Sequence, residues 1–168
     1  MRKIPALLSQ SALAEKLVSL AREKNITFGT AESCTGGLIS AAVTDISGAS
    51  SVFWGGIVSY DNSIKEKLLG VKSETLSTVG AVSEETATQM AMGAVRALSV
   101  DFAVSVTGIA GPGGGTPTKP VGLVYIATAS QNGVISVREN HFNGNREEIR
   151  HQTVETALSM LISAIEEK

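Results

Sequence analysis

Residues 26–43 read Ile-Thr-Phe-Gly-Thr-Ala-Glu-Ser-Cys-Thr-Gly-Gly-Leu-Ile-Ser-Ala-Ala-Val, and the change of rhythm inside this stretch decides the fold class. Ile26 to Ala31 alternates as a strand does, whereas Leu38, Ile39, Ala42 and Val43 recur at helical spacing. Between them, Glu32-Ser33-Cys34-Thr35-Gly36-Gly37 has the glycines and small polar residues of a tight connection. A strand therefore hands over to a helix at Ser33, as in the units from which α/β domains are built.

Upstream of this unit, Leu13, Leu17, Val18, Leu20 and Ala21 form one apolar stripe over Ser9 to Lys24, a helix stopped at Asn25. Downstream, Trp54 to Tyr60 reads as a strand in which Gly55 and Gly56 suggest close approach of another backbone. Ser63-Ile64-Lys65-Glu66 has the form of a capping box, predicting a short helix to Leu69 that ends at Gly70. Ser73 to Val79 forms a further short turn, stopped by Gly80. Ser83 then caps a longer helix, with Glu84 and Glu85 at its positive end and Met90, Ala94, Val95 and Leu98 on its apolar face.

Asp101 to Thr107 is a buried-looking strand, and the glycine- and proline-rich segment Gly108 to Pro120 is a loop inside the domain. Val121 to Ala129 and Val134 to Phe142 are strands joined across Gln131-Asn132-Gly133, where Asn-Gly is the favoured pair for a tight hairpin turn. The last helix runs from Asn145 to Glu166, with Ile149, Val154, Ala157, Leu158, Leu161, Ile162 and Ile165 on its core face. Five strands interleaved with helices, the last two as a hairpin, predict a three-layer α/β/α sandwich with a mixed sheet, a C-terminal hairpin and a long C-terminal helix. A single domain is expected over residues 1–168. The irregular segments after Ala31, Tyr60 and Thr107 each follow a strand, so parallel strands would gather them at one sheet edge, where α/β sheets bind ligands.

Composition narrows the function. Fourteen Lys and Arg against sixteen Asp and Glu give a net charge of −2 and no basic footprint, so nucleic acid is not an expected partner. A single cysteine excludes an intramolecular disulfide. No run approaches the roughly 20 apolar residues of a membrane span, and the opening residues lack the pattern of a secretory signal, so the expectation is a cytoplasmic protein without membrane association. Two histidines, His141 and His151, and three aspartates, with no pair at metal-ligand spacing, predict a chain without metal or cofactor. They also suggest that any nucleophile here is activated by something other than histidine.

Ser33 is the first candidate. A serine at the mouth of a helix projects its hydroxyl from a tight turn, and nearby unpaired amides at Cys34, Thr35 and Gly36 could receive an oxyanion. The same pattern also fits Ser33 or Thr35 as a plain N-cap. Lys65 is the second. In the first turn of a helix capped by Ser63, its charge opposes the helix dipole, and burial there would free a neutral amine to serve as a base, with Tyr60 relaying a proton or orienting it. A solvated surface lysine fits those residues too. Cys34 offers a rival nucleophile, since a thiol at a helix N-terminus can be acidic, although small buried cysteines are common. The glycine-rich loop matches neither nucleotide template: Thr116 breaks the dinucleotide fingerprint and the P-loop pattern does not occur. Thr107, where strand meets loop, is a candidate substrate contact or simply a β-branched strand residue.

Taken together, AESCTGG (31–37), WGGIVSYDNSIKEKLLGV (54–71), GAVSEETATQMA (80–91), SVTGIAGPGGG (105–115) with PVGLVYIA (120–127), and FNGNREEIRHQTVETAL (142–158) resemble the CinA C-terminal domain family, the nicotinamide-nucleotide amidases. The resemblance runs from about Leu13 to Leu161. It implies hydrolysis of the carboxamide of nicotinamide mononucleotide to nicotinate mononucleotide and ammonia, in pyridine-nucleotide recycling. By position it implies Ser33 as nucleophile, Lys65 as its base, Tyr60 as the assisting hydroxyl, Thr107 as a pocket contact and Arg146 as a candidate for the substrate phosphate. It also implies a stand-alone form, without the N-terminal domain of longer relatives and its pyrophosphatase activity. Besides a small nucleotide substrate, the expected partner is a second copy of the chain, because the apolar content of the terminal helix leaves room for a homodimer face. A non-catalytic nucleotide-binding module of the same fold is the alternative reading.

Overall fold

The structure, a computed structural model, describes residues 9–168. In chain order the elements are α1 (Gln10–Glu23), β1 (Phe28–Glu32), α2 (Leu38–Thr44), β2 (Phe53–Val58), α3 (Asn62–Leu69), α4 (Ser73–Thr78), α5 (Glu84–Leu98), β3 (Phe102–Gly108), β4 (Leu123–Ser130), β5 (Gly133–His141) and α6 (Arg146–Glu166). The five strands form one sheet in the order β2-β1-β3-β4-β5. β2, β1 and β3 run parallel, and β4 and β5 return antiparallel. Helices cover both faces, so the three-layer sandwich and mixed sheet are as the sequence predicts.

Alternation along the strands builds the two cores. Phe28, Val104, Val106 and Ile126 face α1, α2 and α6. Ala31, Ala103 and Ala127 face α5, and their small side chains let that helix lie close. Helix α6 buries ten of its residues, including Ile149, Leu158, Leu161 and Ile165, each such burial stabilising by roughly 1.5–3 kcal/mol. The apolar content that suggested a face for a second copy is thus accounted for within the chain. Among the described residues no helix is long and apolar enough to cross a membrane.

Three local expectations are corrected. Ser63 does not cap α3. The cap is Asp61, whose Oδ1 accepts from both the N–H and the hydroxyl of Ser63, and a carboxylate two residues upstream outcompetes a serine that has become its donor. Lys65 accordingly lies one full turn into the helix. A reciprocal capping box occurs instead at Asn145 and Glu148, at the start of α6. In the hairpin, Ser130 pairs with Gly133, so the two turn residues are Gln131 and Asn132 and Gly133 opens β5. At Gly56, what comes close is the pair of hydroxyls of Thr30 and Ser40, on which a Cβ would fall, rather than another backbone.

Candidate active site at the carboxyl edge of the parallel strands

Register brings the site together. Glu32 of β1 stands opposite Val58 of β2 on one side and Val106 of β3 on the other. The pairing continues one residue further: Ser59 N–H donates to the Glu32 carbonyl at 2.9 Å, and Ser33 N–H donates to the Val106 carbonyl at 3.1 Å. Ser33 therefore sits in the middle of the sheet edge, with Ser59 on one flank and Thr107 on the other. The chain leaves β1 toward β2 and later returns to the opposite side of β1 as β3, which makes this edge the point where strand order reverses and a crevice opens.

Helix α3 begins three residues after Ser59 and folds back over this edge. Lys65, only 1% exposed, places its Nζ 3.1 Å from Ser33 Oγ. The same nitrogen lies 2.7 Å from the Ser59 carbonyl and 3.4 Å from the Tyr60 carbonyl. Among the described residues no carboxylate bonds it. Burial holds the amine below the usual lysine range, while Asp61 and Cys34 pull it partway back. Its partners also orient it. A carbonyl only accepts, so an amine that loses its charge would give its two remaining hydrogens to Ser59 and Tyr60 and turn its lone pair to the Ser33 hydroxyl.

The turn carrying Ser33 is held from below by Glu32, which is fully buried. Its Oε2 accepts from the Thr35 hydroxyl at 2.7 Å and from the N–H groups of Gly37 and Ile39 at 3.1 and 3.0 Å. Its Oε1 accepts from the Ser40 N–H and hydroxyl at 2.9 and 2.8 Å, with the Thr30 hydroxyl at 3.4 Å. Every neighbour donates, which suits a group that can only accept. The side chain thereby takes up the amides opening α2, which no serine or threonine caps: its N-cap is Gly37, in the left-handed region.

Ser33, Cys34, Tyr60, Asn62, Lys65, Thr107 and Arg146 line one cavity of about 220 Å³ with Ala81, Val82, Gly108 and Ala110. Thr107 donates its hydroxyl to the Ala81 carbonyl at 2.7 Å. Arg146 reaches over from α6, its Nη1 2.8 Å from the Gly111 carbonyl and its Nη2 3.3 Å from the Tyr60 hydroxyl. The expected contact between the Tyr60 phenol and the amine is absent. Tyr60 is 64% exposed and its hydroxyl belongs to the Arg146 side of the mouth; what Lys65 touches is the Tyr60 main chain. Gly36 is not a free donor either, because its N–H closes the turn onto the Ser33 carbonyl at 3.1 Å. Among the described residues, the N–H groups of Cys34 and Thr35 donate to no other residue. The Cys34 rival fails on burial, which pushes the thiol up to about 12 and keeps it protonated at neutral pH.

Glu32, Ser59, Asn62 and Arg150 escaped the sequence reading. Glu32 carries a signal, a lone charge ending a strand whose other residues are all buried. Arg150 does too, lying four residues beyond Arg146 on one helix face. Ser59, which acts through its main chain, gives none.

With this geometry in place, residues 10–165 match the CinA C-terminal domain. The chain belongs to the CinA C-terminal domain family. It is 53% identical over 147 residues to a CinA-like protein of Leptospira borgpetersenii serovar Hardjo-bovis, covering 88% of this chain and 35% of that protein. To a CinA-like protein of Nostoc it is 48% identical over 163 residues, covering 91% and 38%. The chain thus spans a little over a third of the length of these curated relatives. Among solved structures, the competence/damage inducible protein CihA from Agrobacterium tumefaciens superposes with a TM-score of 0.90 at 48% identity, covering 97% of this chain and 98% of that one. A CinA superfamily protein from Escherichia coli gives 0.91 at 28% identity, with 96% and 94% covered.

Proposed function

We propose that this CinA domain is a serine amidohydrolase that releases ammonia from the carboxamide of nicotinamide mononucleotide. The observation that carries the reading is the buried Lys65 amine 3.1 Å from the Ser33 hydroxyl, inside a cavity. Neutral Lys65 takes the Ser33 proton as Oγ adds to the carboxamide carbon. The oxyanion is received by the N–H groups of Cys34 and Thr35, an interaction whose single donors are worth roughly a hundredfold or more in rate. Lys65 returns the proton to the departing nitrogen, the C–N bond breaks and ammonia leaves. Water, deprotonated by the same amine, then cleaves the ester and restores Ser33. At about 220 Å³ the cavity is smaller than the roughly 300–1,000 Å³ usual for enclosing a drug-sized ligand. It suits the pyridine ring, with ribose and phosphate extending to the mouth at Tyr60 and Arg146.

The test is ammonia release by the purified protein from nicotinamide mononucleotide, the riboside and the free base. Turnover of the nucleotide, unchanged by prior treatment with EDTA, is the expected result. Nucleotide binding without ammonia from any of the three would establish a binding module in place of the amidase. The rate should also depend on pH with a definite sign. The base is the uncharged amine, so kcat/KM is expected to rise with pH as Lys65 loses its proton. Because burial lowers that pKa, the midpoint should fall below the usual lysine range. A pH-rate series on the nucleotide measures it, and a rate that falls as alkali is added would contradict lysine as the base.

A further inference from the structure

Arg150 lies one turn beyond Arg146 on α6, and the chemistry above does not use it. Its Nε donates to the Cys34 carbonyl at 3.1 Å and its Nη2 to the Thr35 carbonyl at 2.9 Å. Among the described residues it forms no ion pair, although a partly buried guanidinium ordinarily grips a carboxylate or phosphate. The cation is committed to two successive carbonyls of the turn that bears the nucleophile. Gly36, the next residue of the turn, has a φ of +61°, the left-handed conformation that favours glycine, and a Cβ there would make only an ordinary contact of 3.6 Å with Nη2.

This grip sets the direction of the amides. A trans peptide is planar, with its C=O and N–H on opposite sides. Holding the Cys34 carbonyl on the α6 side turns the Thr35 N–H the other way. The Ser33 carbonyl, engaged by the Gly36 N–H, does the same for the N–H of Cys34. We infer that Arg150 is a positioning residue: its two-pronged hold on the Cys34 and Thr35 carbonyls fixes the peptide whose N–H receives the oxyanion. The inference rests on the amidase reading. It differs from a substrate-binding role, because Arg150 is bound to the main chain and does not line the cavity.

The experiment compares wild type, Arg150→Ala and Arg150→Lys in steady-state kinetics on nicotinamide mononucleotide and in thermal unfolding. A misplaced oxyanion donor costs on the order of 10–100-fold in rate. Arg150→Ala should therefore lower kcat by about that factor, with KM within about threefold and the unfolding midpoint within a few degrees. Arg150→Lys, which can still hold one carbonyl, should recover part of the loss. An unchanged kcat, a raised KM at constant kcat, or a loss of kcat tracking a loss of stability without rescue by lysine would each overturn it. A second arm needs no substrate: the rate at which a fluorophosphonate labels Ser33, followed by intact mass. If wild type releases no ammonia, the amidase reading fails, yet labelling slowed by the same factor in Arg150→Ala upholds the positioning role. Equal labelling rates, or no labelling of wild type, overturn it.

Discussion

Ser33→Ala should lose at least about 10⁴-fold in ammonia release from nicotinamide mononucleotide, while its unfolding free energy stays within about 1.5 kcal/mol of the parent chain. The large effect follows from removing the atom proposed to form the ester, which no neighbour can replace: Cys34 beside it is held protonated by burial, and Thr35 has its hydroxyl tied to Glu32. The small one follows from how little the hydroxyl does for the fold. Among the described residues its one side-chain hydrogen bond is with Lys65, whereas the N–H that anchors Ser33 to Val106 belongs to the main chain and survives. Pairing the change with Lys65→Met sharpens the test. Groups acting as one unit are not additive, so the double variant should be no slower than the single. Ammonia release and urea denaturation on the same preparations measure both quantities, and a fully active Ser33→Ala would remove the serine mechanism.

Glu32→Gln should have the largest effect on stability, a loss of about 3 kcal/mol or more. Three main-chain N–H groups and the hydroxyls of Thr35 and Ser40 converge on the carboxylate within 3.1 Å. A glutamine turns an NH₂ toward groups that themselves donate, leaving buried donors unmatched and a pair of donors opposed. The Ser33 turn begins at the next residue, so activity should fall along with stability. Urea denaturation measures the first and the ammonia assay the second. A glutamine variant as stable as wild type would show that the donors find other acceptors.

The layout of the fold is legible in the sequence because it rests on local rhythm. The stripe from Leu13 to Ala21, the alternation before Ser33 and the core face of α6 each reflect which side of an element meets the sheet. Where local signals compete, sequence alone is ambiguous: Ser63 and Asp61 are both good caps two residues apart, and only the folded chain shows the serine donating to the aspartate. The site is legible as residue types but not as a constellation. Ser33 and Lys65 lie 32 positions apart, and their meeting depends on β2 lying beside β1 in a register that composition does not encode. Tyr60 invites attention for its phenol, but its contact with the amine runs through a carbonyl that any residue could supply.

One feature of Lys65 reaches into how the domain should respond to alkali. Its amine is flanked by a hydroxyl and two main-chain carbonyls, and among the described residues no imidazole, carboxylate or thiolate is bonded to it. In the proposed mechanism the same nitrogen collects the proton and hands it back, so further base would have no second partner to disarm. The profile should climb to a plateau and stay there, without the descending limb of sites that divide acid and base between two groups.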